Sequence, residues 1–320
     1  MLKSAKWAVG LLALVWSCAS FAQNYPSKPV RIIVPYQAGQ GTDVVARYFA
    51  DHLSRTTGQR FYIENKPGAG GNIGTEMAAH SEADGYTILM GTNATQTMNE
   101  FMYTSLGFAP DKDFAPIILV GKLPMLISAS PSFKANSVAE LVAAAKATPD
   151  KVDMALPSTT ARIVFEFLKE KTGAPLFSVP YKGSATALTD VLGGQVPLIV
   201  DTVTALRSQI ADGKLKALGI TSLKSTELMP GVKSIAEQGV TGFEVTAWNA
   251  FYAPRDTPQP VIDLLNAELA KALALPETRK RLLELGFDPA GGTPAELAQF
   301  EKQERAKWGP IIKATDLKGG

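Results

Sequence analysis

Short apolar runs alternate along the chain with segments whose apolar residues recur at helical spacing. The runs 29–36, 60–64 and 86–90 have the length and composition of buried strands. Between the first two, Val45, Phe49 and Leu53 recur at the spacing of a helix, for which Thr42 or Asp43 is the predicted N-cap. Strands that alternate with helices in this way predict βαβ units and a parallel sheet.

The pattern changes in the middle of the chain and then resumes. Residues 116–128 predict two successive strands that carry the chain into a second lobe. Further strands are predicted at 152–156, 176–180, 196–200 and 215–221, and 243–253 is expected to cross back. Residues 260–286 have helical periodicity, and the capping boxes Ser137-x-x-Glu140 and Thr293-x-x-Glu296 each predict a helix start. The sequence therefore predicts two α/β lobes.

The first 22 residues have the pattern of a signal peptide. Lys3 and Lys6 precede an apolar run at 7–16, and Ala22 ends a stretch of small residues suited to cleavage. A membrane helix would need about 20 apolar residues, which this run does not reach. The segment ending at Cys18 loosely resembles a lipobox, although Trp16 fits that pattern badly, so a lipid anchor is the alternative. We expect export to the periplasm.

Composition excludes several classes of function. Loss of Lys3 and Lys6 leaves 30 basic and 30 acidic residues, which gives no basis for nucleic-acid binding, and Cys18 is the only cysteine. The two histidines, His52 and His80, fall on predicted helices away from strand ends, which disfavours a zinc site and a histidine base. The glycine-rich run 68–74 lacks dinucleotide-binding spacing, so no cofactor is expected.

One chemical feature recurs: a strand, a short loop rich in Gly, Ser and Thr, and the start of a helix. It occurs at 38–43, 68–74, 91–95, 158–161, 183–185 and 201–204. In open α/β sheets, ligands bind beyond the carboxyl ends of the strands, where helix N-termini present free N–H groups. The hydroxyls of Thr42, Thr92, Ser158 and Thr159 can add donors. These loops predict an anion-selective cleft with little fixed charge.

Charged and aromatic side chains near these loops have two interpretations each. Arg162 can clamp a carboxylate through two parallel hydrogen bonds, or it can pair with Glu166 one helical turn away. Asp201 can accept a hydrogen bond from a ligand, or it can cap the following helix. Tyr181 can line a cleft or belong to the core.

Several segments, taken together, resemble the substrate-binding proteins of tripartite tricarboxylate transporters, also called the Bug family. They are 25–29 (YPSKP), 34–43 (VPYQAGQGTD), 64–74 (ENKPGAGGNIG), 84–87, 179–184, 192–196 and 291–294. The resemblance covers essentially the whole mature chain. It implies a type II periplasmic-binding-protein-like α/β fold, a Venus flytrap of two lobes joined by crossover strands. We expect lobe 1 at 23–123 plus 247–320 and lobe 2 at 124–246.

The resemblance also implies a function. Such proteins capture a small organic carboxylate, such as a di- or tricarboxylate, an acidic amino acid or an aromatic acid, and deliver it to a membrane permease of one large and one small subunit. We expect a monomer without enzymatic activity. The resemblance implies that backbone N–H groups hold the carboxylate at Ala38, Gly39, Gly41, Thr42 and Asp43, and at Ser158, Thr159 and Thr160. The full set of expected ligand-binding residues adds Gln40, Thr92, Asn93, Arg162, Tyr181 and Asp201.

Two loops depart from the family pattern. Gln40 replaces the middle of three glycines, and the second-lobe loop at 156–162 is shorter and contains Pro157. Arg162 stands where a histidine is usual. These changes suggest a hypothesis in which Leu156 and Pro157 contact an aromatic ring while Arg162 binds a second carboxylate.

Two other functions remain open from the residues. One is a signalling co-receptor whose closed form docks on a sensor kinase, and it differs from a transport receptor only in its partner. The other is a periplasmic enzyme that uses carboxylates, against which scarce histidine and a missing nucleophile motif both weigh.

Overall fold

The computed structural model of the protein describes residues 25–148, 152–181 and 183–314. The predicted signal peptide at 1–22, the possible lipid anchor at Cys18 and the side chain of Lys182 lie outside these ranges. Within them, no helix combines the length and apolar character needed to cross a bilayer.

The described chain folds into ten strands and ten α-helices that largely alternate. The strands are β1 (Val30–Val34), β2 (Phe61–Asn65), β3 (Thr87–Thr92), β4 (Phe114–Ala129), β5 (Asp153–Leu156), β6 (Phe177–Pro180), β7 (Leu198–Thr202), β8 (Lys216–Ile220), β9 (Thr246–Pro254) and β10 (Asp288–Gly291). The helices are α1 (Gly41–Thr57), α2 (Asn72–Ala79), α3 (Asn99–Met102), α4 (Val138–Ala147), α5 (Thr159–Thr172), α6 (Ser184–Leu192), α7 (Val203–Ala211), α8 (Gln259–Ala274), α9 (Pro276–Glu284) and α10 (Pro294–Ala314).

All ten strands are connected in the order β2-β1-β3-β9-β4-β7-β5-β6, with β8 and β10 each paired to β4. β1 lies parallel to β2 and β3, and β5 lies parallel to β6 and β7. The predicted parallel βαβ units are therefore confirmed in both halves of the chain. β9 runs antiparallel to β3 and to Phe114–Pro124 of β4, so it lies within the first half of the sheet.

β4 is one strand of 16 residues, so the prediction of two successive strands at 116–128 is wrong. The apolar run contains no turn, and Gly121 lets the backbone of β10 approach, since a Cβ there would lie 2.9 Å from the carbonyl oxygen of Asp288. Phe114 to Pro124 pair with β9, whereas Met125 to Ala129 pair with β7 and β8. A single strand thus passes from one half of the sheet to the other.

The predicted helical region 260–286 is interrupted once. Leu275 is extended (φ −71°, ψ 132°), and it separates α8 from α9. Pro276 explains the break, because a proline disfavours helical geometry in the residue before it. Both predicted capping boxes are confirmed: Ser137 Oγ accepts from the Glu140 N–H at 3.1 Å, and Thr293 Oγ1 accepts from the Glu296 N–H at 3.2 Å.

The C-terminal helix α10 packs against both halves of the molecule. Leu297, near its start, lies in an apolar cluster with residues of β1, β3 and β9. Trp308 and Ile312, near its end, lie in the core beneath β5 and β7, where the Trp308 ring packs edge-on against Phe167 at 5.7 Å. α10 therefore ties the two lobes together.

Candidate functional site

The first loop leads from β1 into α1. α1 begins at Gly41 with Gln40 as its N-cap, and the Gln40 side chain makes no capping hydrogen bond. The prediction of Thr42 or Asp43 as the cap is therefore wrong, because both already lie in the first helical turn. The N–H groups of that turn have no acceptor within the helix, so they remain available to a ligand. Ala38, Gly39, Gln40 and Gly41 are exposed, and Thr42 is half-buried.

Gly39 gives this loop its shape. Its φ of +84° lies in the left-handed region that glycine tolerates and other residues rarely adopt. A Cβ at this position would meet no atom within 4 Å, so the requirement is one of backbone conformation and not of space.

Asp43 holds the loop together. Its Oδ2 accepts from the Gly39 N–H at 2.8 Å and from Arg47 Nε at 2.9 Å, and its Oδ1 accepts from Asn65 Nδ2 at 2.8 Å. Burial acts to raise the pKa of Asp43, but the hydrogen bonds from Arg47, Gly39 and Asn65 outweigh it and hold the pKa below its ordinary value. The Asp43 carboxylate thus positions the loop. The backbone N–H of Asp43 remains the group that can contact a ligand.

Two further residues connect this loop to β3, and neither was among the expected site residues. Asn65, the last residue of β2, donates to the carbonyl of Tyr36 at 3.0 Å. The Tyr36 hydroxyl lies 2.8 Å from Thr92 Oγ1. Burial raises the pKa of Tyr36 to about 12, so it stays protonated. The feature of the sequence that could have identified Asn65 and Tyr36 is a polar residue at or after the carboxyl end of each strand.

The end of β3 brings the two lobes into contact. A π-helical turn, Ala94–Met98, follows Asn93 where the sequence predicted an irregular loop. Asn93 is buried, and its Nδ2 lies 3.4 Å from Thr160 Oγ1 at the start of α5. Two of the expected site residues, one from each lobe, are therefore neighbours.

The second-lobe loop is built like the first. Ser158 is the N-cap of α5, and its Oγ accepts from the Ala161 N–H at 3.1 Å. The N–H groups of Thr159 and Thr160 occupy the free first turn, and both residues are half-buried. Leu156 is 2% exposed and packs in the core beneath β5, so it offers little surface to an aromatic ring.

Arg162 follows this turn and is half-buried. Among the described residues its guanidinium forms no ion pair, with Glu166 or any other carboxylate. The alternative of a surface salt bridge is thus not formed, and the guanidinium is available to an anion.

Asp201 lies at the carboxyl end of β7, and Tyr181 directly follows β6; β5 lies between these two strands. Thr202, and not Asp201, caps α7, since Thr202 Oγ1 accepts from the Ala205 N–H at 3.3 Å; the capping interpretation of Asp201 is wrong. Asp201 is 2% exposed, and burial raises its pKa. The Tyr181 hydroxyl donates to Asp190 Oδ2 at 2.7 Å, so it is engaged within its own lobe.

Asn249 is a candidate that sequence reasoning missed. It lies on β9 directly opposite Thr92, it is 3% exposed, and its Nδ2 has no partner among the described residues. Opposed residues of an antiparallel pair project from the same face, so the unpaired donor lies beside Thr92. The sequence feature that could have identified Asn249 is its position as the single amide side chain in the largely apolar run 246–254.

α7 also contacts the end of α9 and the residue that follows it. Arg207 on α7 donates through Nη2 to the carbonyl of Leu283 at 3.0 Å and to that of Leu228 at 3.2 Å. Thr204 Oγ1 donates to the carbonyl of Leu285. We call the contacts that Arg207 and Thr204 make with Leu283 and Leu285 the latch.

A cavity of about 780 Å³ lies elsewhere, lined in part by Lys28, Pro29, Ile73, His80 and Thr87. It borders the amino ends of β1 and β3, opposite the edge where the loops converge. Because ligands of open α/β sheets bind beyond the carboxyl ends of strands, the loops and not this cavity form the candidate site. No group of three or more His, Cys, Asp or Glu suited to a metal occurs in the described residues.

Two α/β lobes that share crossing strands and enclose a cleft of helix N-termini define a solute-binding protein of the flytrap class. Rpa4515 from R. palustris, whose structure contains adipate, matches with a TM-score of 0.81 and 34% identity over 90% of this chain and 97% of its own. MatC from Rhodopseudomonas palustris, solved with bound malate, matches with a TM-score of 0.76 and 30% identity over 90% of this chain and 100% of its own.

Sequence comparison gives the family. Protein BugT from Bordetella pertussis (strain Tohama I) is 34% identical over 300 residues, which are 93% of this chain and 92% of BugT. The sequence model described as "Tripartite tricarboxylate transporter family receptor" matches residues 45–317. The chain therefore belongs to the tripartite tricarboxylate transporter receptor family, and the predicted resemblance and fold class are confirmed.

Proposed function

We propose that the protein is a periplasmic receptor that captures a small organic carboxylate between its lobes and delivers it to a tripartite tricarboxylate transporter. The observation that carries this proposal is the contact between Asn93, which follows β3, and Thr160, in the first turn of α5, because it brings a strand end of one lobe against a helix start of the other. In this proposal the free first-turn N–H groups of α1 and α5 face the cleft between the lobes. Helix N-termini favour anions through their free N–H groups and their dipole. Rpa4515 with adipate and MatC with malate support the same ligand class.

We assign these residues the following roles. The N–H groups of Gly41, Thr42, Asp43, Thr159 and Thr160 bind the carboxylate, while Ala38, Gly39, Gln40 and Ser158 shape the two loops around it. Thr92, Asn93 and Asn249 supply side-chain donors at the base of the cleft, and Arg162 binds a second carboxylate. Tyr181 supports the second-lobe wall from its contact with Asp190.

The strand pairing supports the proposed division into lobes. We place lobe 1 at 23–123 plus 247–320 and lobe 2 at 124–246. The partners of β4 change between Pro124 and Met125, and β9 begins at Thr246 after Val245 donates to the carbonyl of Thr221 at 3.0 Å. These two crossings are the hinge in this proposal.

The remaining parts of the proposal concern the cell. We expect residues 1–22 to direct export, the mature chain to act as a monomer, and its partner to be a permease of one large and one small membrane subunit. We expect no enzymatic activity, because the cleft residues supply hydrogen-bond donors and the two histidines lie on α1 and after α2, away from the cleft. Membership of a receptor family supports this expectation.

The test is isothermal titration of the mature protein with aliphatic mono-, di- and tricarboxylates, using Arg162→Ala and the control Arg255→Ala, which removes an exposed arginine from a loop. Because a charge-assisted hydrogen bond contributes about 1.5–3 kcal/mol, Arg162→Ala should weaken di- and tricarboxylates about 10- to 100-fold and leave monocarboxylates unchanged. A wild-type protein that binds no carboxylate would contradict the function. Equal loss for all acids would contradict only the role of Arg162.

A further inference from the structure

Asp201 carries a buried oxygen that the fold leaves without a partner. Its Oδ1 accepts from the Thr202 N–H at 2.7 Å, whereas Oδ2 has no hydrogen-bond partner among the described residues. An unpaired polar atom in the interior costs about 1–3 kcal/mol, and a charged one costs more. Such an atom at the carboxyl end of a parallel strand, where ligands bind, indicates that the missing partner comes from outside the chain.

The surroundings of Asp201 support its charge but do not satisfy this oxygen. Thr202, the N-cap of α7, and Ser184, the first residue of α6, lie close enough to favour the ionised carboxylate against the effect of burial. Two helix N-termini therefore begin beside the side chain and stabilise negative charge. No lysine or arginine forms an ion pair with Asp201 in the described part of the chain.

The rest of the cleft has the opposite character. The first turns of α1 and α5, Asn249 Nδ2 and the Arg162 guanidinium are all donors. A ligand carboxylate fits these groups and is repelled by Asp201. A ligand group that lies next to Asp201 must therefore donate a hydrogen bond, as a hydroxyl or an ammonium does.

We propose that Asp201 Oδ2 accepts a hydrogen bond from an O–H or N–H group of the ligand, so that the receptor selects hydroxy- or amino-substituted carboxylates over unsubstituted ones. This inference rests on the proposed function, since it concerns the same cleft. A site that binds a ligand donor in this way discriminates strongly against the analogue that lacks the group, because the buried acceptor is then left unpaired.

Matched ligand pairs test the inference. The pairs are malate or aspartate against succinate, 2-hydroxyglutarate or glutamate against glutarate, and citrate against tricarballylate. In at least one series, the wild-type protein should bind the substituted acid about 10- to 100-fold more tightly. Asp201→Asn should reduce that preference to within about threefold without weakening the unsubstituted acid, since it removes the charge and keeps the shape.

Asp212→Asn is the control, because Asp212 is an exposed carboxylate at the end of α7. Melting temperatures of both variants within a few degrees of wild type establish that they are folded. Equal affinity for substituted and unsubstituted acids in every series would overturn the inference and leave the receptor function intact. An unchanged preference in Asp201→Asn would also overturn it. Failure to bind any carboxylate would overturn the receptor function as well.

Discussion

Glu301 on α10 gives the protein a stability that depends on pH. Its side chain is buried, it accepts a hydrogen bond from the Tyr252 hydroxyl, and its Oε2 lies 3.8 Å from Arg305. Burial raises its pKa from 4.5 to about 7, an effect that Tyr252 and Arg305 reduce but do not cancel. The unfolded chain releases this proton near pH 4.5, so the folded state loses stability as the pH rises from there through 7.

The magnitude follows from the pKa difference. One pKa unit corresponds to 1.36 kcal/mol, so ionising Glu301 in the folded state costs about 3 kcal/mol relative to the unfolded chain. Glu301→Gln keeps an acceptor for Tyr252 and removes the charge. The free energy of unfolding of the variant, relative to that of the wild type, should therefore rise by about 3 kcal/mol from pH 4.5 to pH 8.

Urea unfolding at pH 4.5, 6 and 8 measures this difference. Glu82→Gln, which changes an exposed carboxylate, is the control. If the Glu301→Gln difference is the same at all three pH values, Glu301 does not have a raised pKa in the folded protein.

Two further predictions concern the cleft. Asp43→Asn should destabilise the protein by about 1–3 kcal/mol at neutral pH, because it weakens the hydrogen bonds from Arg47 and Gly39. Since the pKa of Asp43 is lowered in the folded state, the deficit should vanish as the pH falls below about 4 in urea unfolding. Arg207→Met should break the latch to Leu283 and weaken the bound ligand about tenfold in isothermal titration, because the joined lobes lose a charge-assisted hydrogen bond. An unchanged affinity would show that the latch does not contribute to ligand retention.

The regular elements could be predicted because their signals are local. Apolar runs marked nearly every strand, and Ser137 and Thr293 marked their helix starts, where each side-chain oxygen accepts from the N–H three positions on. The error at β4 has a non-local cause: the apolar run 116–128 has the length of two strands, and its pairing first with β9 and then with β7 and β8 makes it one continuous strand through Gly121 and Pro124.

The candidate site could be predicted only in outline for a similar reason. Loops at strand ends identify the helix starts, but the sequence does not show which carboxylates the fold already satisfies. Both oxygens of Asp43 accept hydrogen bonds, from Gly39, Arg47 and Asn65, whereas Asp201 Oδ2 has no partner among the described residues, and the two carboxylates look alike in the sequence. Asn249 lies more than 150 positions from Thr92, so only the pairing of β3 with β9 brings that donor to the cleft.

The central claim is that the cleft captures a carboxylate, and a comparison of acids with their neutral amides tests it most directly. Isothermal titration of the mature protein should give saturable one-to-one binding to at least one di- or tricarboxylate. The corresponding diamide or triamide, of the same shape but without charge, should bind at least about 100-fold more weakly, since helix N-termini and Arg162 favour anions. Equal binding of acid and amide, or no binding of any acid, would contradict the account.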